Sequence, residues 1–167
     1  MRRPVVLCAT PGDVGGIGPE VLLRAIGRRT WPRRLHLVVI GSAALLKTQA
    51  RRLGLACPER WSPGTAVPPH RAVIWDTGSF PGLRAGAGRP CAVSALAAVS
   101  WIELAASECM AGRFDGLVTA PISKEGLAMA GIRSPGHTEL LAELTHTRDF
   151  AMMLIGGRLR VVLATRH

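Results

Sequence analysis

Short apolar runs separated by helix-length segments are the feature that most narrows what this chain can fold into. Val5–Ala9 reads as a buried strand, and a second runs over Leu35–Ile40 (Leu-His-Leu-Val-Val-Ile). Between them lie a glycine-rich loop and a helix from about Pro19 to Arg28. A helix over residues 43–53 follows the second strand, with Ser42 placed to cap it. Val73–Trp75 and Leu117–Thr119 are further short strands. The longest predicted helix spans Cys91–Ala111, with Leu96, Val99, Ile102 and Leu104 spaced for packing and Gly112 as its stop. Repeated strand–helix units predict an α/β fold whose sheet is largely parallel.

Between these elements the chain is punctuated. Residues 56–71 contain four prolines and little periodicity, which predicts an irregular loop, and residues 78–90, with four glycines and two prolines, form another connector. Ser123 is placed to cap a short helix through Ala130. Pro135-Gly136 breaks the chain before a helix over Thr138–Leu144. Ala151–Ile155 and Arg160–Ala164 then read as two strands turning at Gly156-Gly157, an antiparallel hairpin.

The length of 167 residues suits one compact domain with its own core. No unbroken apolar run approaches the roughly 18 residues that span a bilayer. The start, Met1-Arg2-Arg3 before a short apolar stretch, lacks the roughly 7–15 apolar residues of a secretion signal. A cytoplasmic protein without a membrane partner is expected. The four cysteines (Cys8, Cys57, Cys91, Cys109) form no C-x-x-C pair and read as buried free thiols rather than a zinc or redox motif. The net charge of +10 lies almost wholly in residues 1–75, and all but two of the 21 basic residues are arginine. Arg28-Arg29, Arg33-Arg34 and Arg51-Arg52 fall where helices end and cations complement the helix dipole. No aromatic interleaving or nucleic-acid motif accompanies the charge, so no nucleic-acid partner is expected.

Three segments carry candidate chemistry. Gly12-Asp13-Val14-Gly15-Gly16-Ile17-Gly18-Pro19-Glu20 joins a strand to a helix, and its glycines let the backbone approach a phosphate or another chain segment closely. Its spacing is neither the dinucleotide G-x-G-x-x-G nor a P-loop, so a tight structural turn and a binding loop both remain open. Thr119-Ala120-Pro121-Ile122-Ser123-Lys124-Glu125 sits at a strand end, where ligands gather in open α/β sheets, and Lys124 could hold an anion there or remain a solvated helix-start lysine. Ser134-Pro135-Gly136-His137-Thr138-Glu139 presents His137 and Thr138 at a helix start. His167 alone cannot build a metal site. His36, His70 and His146 show no partner spacing. The final seven residues, Val161 to His167, read as a strand running off the terminus, so a chain cut short is expected.

Together D-x-G-G-I-G-P-E, A-P-I-S-K, P-G-H-T-E and the terminal L-A-T-x-H resemble, in order and spacing, the 4-hydroxythreonine-4-phosphate dehydrogenase family of pyridoxal phosphate biosynthesis. The resemblance covers residues 1–167 as the N-terminal half of a two-domain dehydrogenase, without the remainder of the second domain and the returning C-terminal segment. It implies an isocitrate/isopropylmalate-dehydrogenase-like α/β fold, incomplete in this chain, and NAD- or NADP-dependent, metal-assisted oxidation of 4-phosphooxy-L-threonine. By the same resemblance, His137 and Thr138 are substrate-binding residues. His167 is one ligand of a divalent cation (zinc, magnesium or cobalt), the substrate is a phosphorylated hydroxy acid, and the full-length protein is a homodimer. The catalytic and cofactor-binding residues of this chain are left unassigned. Val14 stands where proline is common and Arg166 where threonine is common, the latter placing a cation beside the proposed metal. Two alternatives remain: a related dehydrogenase acting on threonate or erythronate 4-phosphate, and a truncated, non-catalytic or partner-dependent half. Uncovered apolar faces would make such a half prone to aggregation.

Overall fold

The structure, a computed structural model, describes residues 3–27, 32, 34–69, 71–78, 80, 83, 84, 88–134 and 136–164. Its elements run β1 (Val5–Thr10), α1 (Gly18–Ile26), β2 (Leu35–Gly41), α2 (Ala43–Leu53), β3 (Glu59–Trp61), β4 (Ala72–Asp76), α3 (Ala92–Met110), β5 (Gly116–Thr119), α4 (Lys124–Met129), α5 (His137–Leu144), β6 (Met153–Gly156) and β7 (Leu159–Val162). The expected α/β fold with a mostly parallel sheet is what forms. Five strands pair in the order β3-β4-β2-β1-β5, all parallel, and β6 and β7 make a separate antiparallel pair.

The apolar runs explain the centre of the sheet. Cys8, Ala9, Val38, Val39, Ile40 and Ile74 are all essentially excluded from solvent, so both faces of β1, β2 and β4 are covered. Strand order advances from β1 through β2 to β3 and β4, then crosses back so that β5 pairs with the other side of β1. Right-handed crossovers in opposite directions along a sheet lie on opposite faces. α1 and α2 accordingly pack on each other, while α3 lies across β1, β2 and β5. Trp101 of α3 is buried, stacks edge-on against Phe80 at 6.2 Å, and donates its indole N–H to Thr77 Oγ1 at 3.1 Å.

Local chemistry sets the ends of the helices. Ser42 accepts from Leu45 N at 3.4 Å and Ser123 from Gly126 N at 3.0 Å, the two caps the sequence predicts. Cys91 caps α3 in the same way, accepting from Ser94 N. It is exposed, and only Cys8 is fully buried, which corrects the expectation of four buried thiols; all four are free. α3 is long and apolar enough by length and composition to cross a membrane, although the sequence holds no unbroken apolar run of that length. More than half of its most apolar stretch is buried against the sheet and α4, as in a core helix.

One strand was not expected. Within the stretch read as a loop, Glu59–Trp61 pairs in parallel with β4, Trp61 opposite Trp75, and the two indoles meet edge to face at 6.0 Å. A three-residue edge strand with two charged members carries no periodicity, because backbone pairing and a single aromatic contact hold it. Arg60 also forms an ion pair with Asp76 at 2.8 Å. The hairpin forms one residue later than expected, turning at Gly157-Arg158, where Gly157 takes the left-handed conformation at φ +56.

That hairpin is the least covered element among the described residues. Every residue of β6 and β7 is exposed, among them Met153, Leu154, Ile155, Leu159, Val161 and Val162. An isolated two-stranded ribbon is marginal in water, and a contiguous apolar patch drives association. The chain on its own is therefore expected to self-associate. Sedimentation velocity should show a concentration-dependent shift to larger species that the double substitution Ile155→Lys, Leu159→Lys reduces. An equally monomeric wild-type chain would contradict this.

Candidate functional site at the β1–β5 switch point

The order of the sheet reverses between β1 and β5, and in open α/β sheets the crevice beyond the carboxyl ends of such strands receives ligands. Thr10 and Thr119 are in register there, and Ala120 N donates to Thr10 O at 3.1 Å. Beyond the strands the glycine loop and the Ala120–Ser123 segment lie against each other. Asp13 N donates to Pro121 O at 2.8 Å, and Gly88 N from the later connector donates to Gly15 O at 3.0 Å. The Asp13 carboxylate, buried, turns back to accept from Gly15 N at 2.8 Å and closes the turn locally.

This packing answers what the glycines are for. A Cβ on Gly12 would stand 2.3 Å from Pro121 O, and Gly12 also takes φ +66. A Cβ on Gly18 would stand 2.2 Å from Pro11 O. These two glycines are there for close backbone approach. Gly15, whose Cβ would stand 2.8 Å from Arg89 O, and Gly16, which has room, also line an open cleft of about 590 Å³, together with Asp13, Glu20, Gln49, Arg52, Arg89 and Ser123. The tight-turn alternative is what the structure shows, and the middle of the loop also walls the cleft. The volume lies within the roughly 300–1,000 Å³ of small-molecule sites. Two carboxylates and two guanidiniums share the lining, and Gln49 Oε1 is buried without a partner.

His137 and Thr138 open α5, beside the Ala120 segment. The His137 ring is half-buried and hydrogen-bonds the Ala120 backbone, while its buried Nε2 has no partner. Burial pulls the imidazole below its ordinary value, and the Ala120 bond opposes this in part. At neutral pH the ring is therefore uncharged, with one nitrogen on the Ala120 backbone and the other buried without a partner. Gly136 precedes α5 with no side-chain cap, so the first-turn N–H groups are not met by a capping side chain. Lys124 does not join either group. It is exposed at the first residue of α4, outside the cleft lining, which is the solvated helix-start reading. His167, Arg166 and Pro135 lie outside the described residues.

Gln49, Arg52 and Arg89 were not found by sequence reasoning. Arg52 lies in the last turn of α2, where a helix-dipole partner is expected, and Arg89 in the glycine- and proline-rich connector. The one signal for them in the sequence is that this connector must pass the carboxyl edge of the sheet. For a metal, no group of three or more His, Cys, Asp or Glu side chains converges among the described residues. They do not assemble a metal site.

Comparison with known proteins agrees with the fold. The model of the family described as pyridoxal phosphate biosynthetic protein PdxA matches residues 33–167. The 4-hydroxythreonine-4-phosphate dehydrogenase of Stutzerimonas stutzeri (strain A1501) is 41% identical over 171 residues, covering 99% of this chain and 50% of that protein. That of Azoarcus sp. (strain BH72) is 38% identical, covering 97% and 48%. Among solved structures, the 4-hydroxythreonine-4-phosphate dehydrogenase from Burkholderia phymatum superposes with a TM-score of 0.84 at 30% identity, covering 96% of this chain and 49% of that one. The Klebsiella pneumoniae enzyme gives 0.77 at 31% identity, with 97% and 49% covered. The chain spans about half the length of the relatives it matches.

Two outcomes follow from the site. Gly18→Ala should cost about 2–4 kcal/mol in denaturant unfolding, because its Cβ meets a backbone carbonyl that cannot move aside. Gly16→Ala, whose nearest neighbour would be 3.5 Å away, should cost less than about 1 kcal/mol. The depressed His137 pKa also has a definite sign. The unfolded state binds the proton more readily, so stability is full above the ordinary imidazole value near 6.5 and falls as pH drops through it. His137→Gln should flatten that acid-side slope, and an unchanged slope would refute the assignment.

Proposed function

The chain belongs to the pyridoxal phosphate biosynthetic protein PdxA family, and from that membership we propose that it supplies the N-terminal half of a cytoplasmic dehydrogenase. The proposed reaction is NAD- or NADP-dependent oxidation of 4-phosphooxy-L-threonine. The observation that carries the reading is His137, oriented by the Ala120 backbone at the uncapped start of α5, with an unpartnered buried Nε2. An anionic phosphorylated hydroxy acid suits that position. The first-turn N–H groups of α5 attract its negative charge, and the neutral imidazole accepts or donates one hydrogen bond to a hydroxyl. Thr138 adds a hydroxyl at the same helix start.

The cleft beside the glycine loop fits part of a nicotinamide nucleotide in volume, and Asp13, Glu20 and Gln49 are suited to accept from ribose hydroxyls. A bound nicotinamide would supply the hydride acceptor for this oxidation. The chain's own residues bind and orient: the Gly15–Gly16 backbone lets the ligand approach, and the Ala120–Ser123 segment holds the cleft and His137 together. His167 keeps the role the resemblance implies, one ligand of a divalent cation whose other ligands these residues do not provide. Homodimerisation, also implied by the resemblance, would give the exposed β6–β7 hairpin a cover.

The second reading, a half that is inactive until a partner completes it, is favoured by the lack of a converging metal-ligand group among the described residues. One experiment tests both readings, since activity of the chain alone would exclude the second. The chain is joined to the second half of the Stutzerimonas stutzeri relative and assayed with 4-phosphooxy-L-threonine and each dinucleotide. The chimera is expected to reduce the cofactor while the chain alone does not, and His137→Ala should lower kcat/KM by about a hundredfold. A folded chimera without activity, beside an active intact relative, would overturn the reading.

A further inference from the structure

Behind the sheet, at a site the proposed reaction does not use, two thiols meet. Cys8 Sγ on β1 and Cys109 Sγ near the end of α3 are 3.6 Å apart, separated by 101 positions in the chain. Cys8 is fully buried, while Cys109 is half-buried and so open to a small solute. A disulfide brings sulfurs to about 2.0 Å, so about 1.5 Å of approach completes one.

We propose that Cys8 and Cys109 are a redox pair that a peroxide converts to a disulfide, stapling β1 to the C-terminal turn of α3. The Cys109 thiolate attacks one peroxide oxygen, the O–O bond breaks, and hydroxide leaves, giving a sulfenic acid at Cys109. The Cys8 sulfur then attacks the Cys109 sulfur, the S–O bond breaks, and water departs with the Cys8 proton. For hydrogen peroxide, two thiols lose two electrons and become one S–S bond, and the peroxide becomes two waters. Cys57 and Cys91 are absent from this contact.

The surroundings fix the character of the pair. Burial raises both thiols above the ordinary cysteine range, Cys8 the more strongly. Glu108, beside Cys109 on α3, and Asp115, at the start of β5, add to this for Cys109. Arg113 pairs with Glu108, and Arg3 with Asp115. Thiolate is therefore scarce at neutral pH, and cross-linking accelerates as pH rises. The bond would join elements that frame the cleft: β1 leads into the glycine loop, and α3 begins directly after Arg89 and Pro90 of its wall.

The test treats the folded, reduced chain with hydrogen peroxide and follows intact mass and peptide mapping. The expected product is lighter by two hydrogen atoms, carries a Cys8–Cys109 linked peptide, reverts with dithiothreitol and melts at a higher temperature. The rate should climb with pH, and Cys109→Ser should abolish the product. If Cys109→Ser fails to fold, mapping of the wild-type chain in urea serves instead, where links should spread to Cys57 and Cys91. Overturning results are Cys109 gaining oxygen atoms without a link, or links in the folded chain made only through Cys57 or Cys91.

Discussion

Everything at the candidate site depends on two backbone segments meeting where side chains have no room. Beyond the carboxyl ends of β1 and β5, the Asp13 amide reaches the Pro121 carbonyl, and the Gly12 and Gly18 positions touch carbonyl oxygens that no Cβ could face. The requirement is steric first and conformational second, since Gly12 also takes a left-handed turn. With the contact made, the loop is free to close on itself through the Asp13 carboxylate and to present Gly15 and Gly16 to the cleft.

The same contact places His137. Its ring is held on the Ala120 backbone, one residue from the carbonyl that anchors the glycine loop. A single junction therefore sets both the cleft and an oriented, uncharged imidazole beside an uncapped helix start. The sheet order makes that junction a switch point, and α3, packed across β1, β2 and β5, holds its two strands from behind. The part-buried Cys8–Cys109 contact joins α3 to β1 on that face.

Much of this was legible in the residues. The apolar runs of β1 and β2 announced a covered parallel sheet, and Ser42 and Ser123 announced helix starts through the hydrogen bonds they make. His137 and Thr138 were singled out through a resemblance rather than through spacing, since a lone loop histidine carries little information. β3 was hidden because Glu59 and Arg60 look like loop residues, and only backbone pairing with β4 makes them a strand. The cleft lining was hidden for a different reason. Gln49, Arg52 and Arg89 come from separate segments that only the tertiary fold brings beside the glycine loop. Lys124 is the reverse case, a residue of suggestive type at a strand end that stands exposed at the start of the short α4.

The most direct measurement is residue-resolved amide hydrogen exchange as a function of denaturant, read at Asp13 and Ala120. If the β1–β5 junction organises the site, both amides exchange only through the same opening as the amides of β1, with matching free energy and denaturant dependence. Exchange at Asp13 at the rate of exposed loop amides, while β1 remains protected, would mean that the glycine loop is not held by the junction and that the cleft is not a built site.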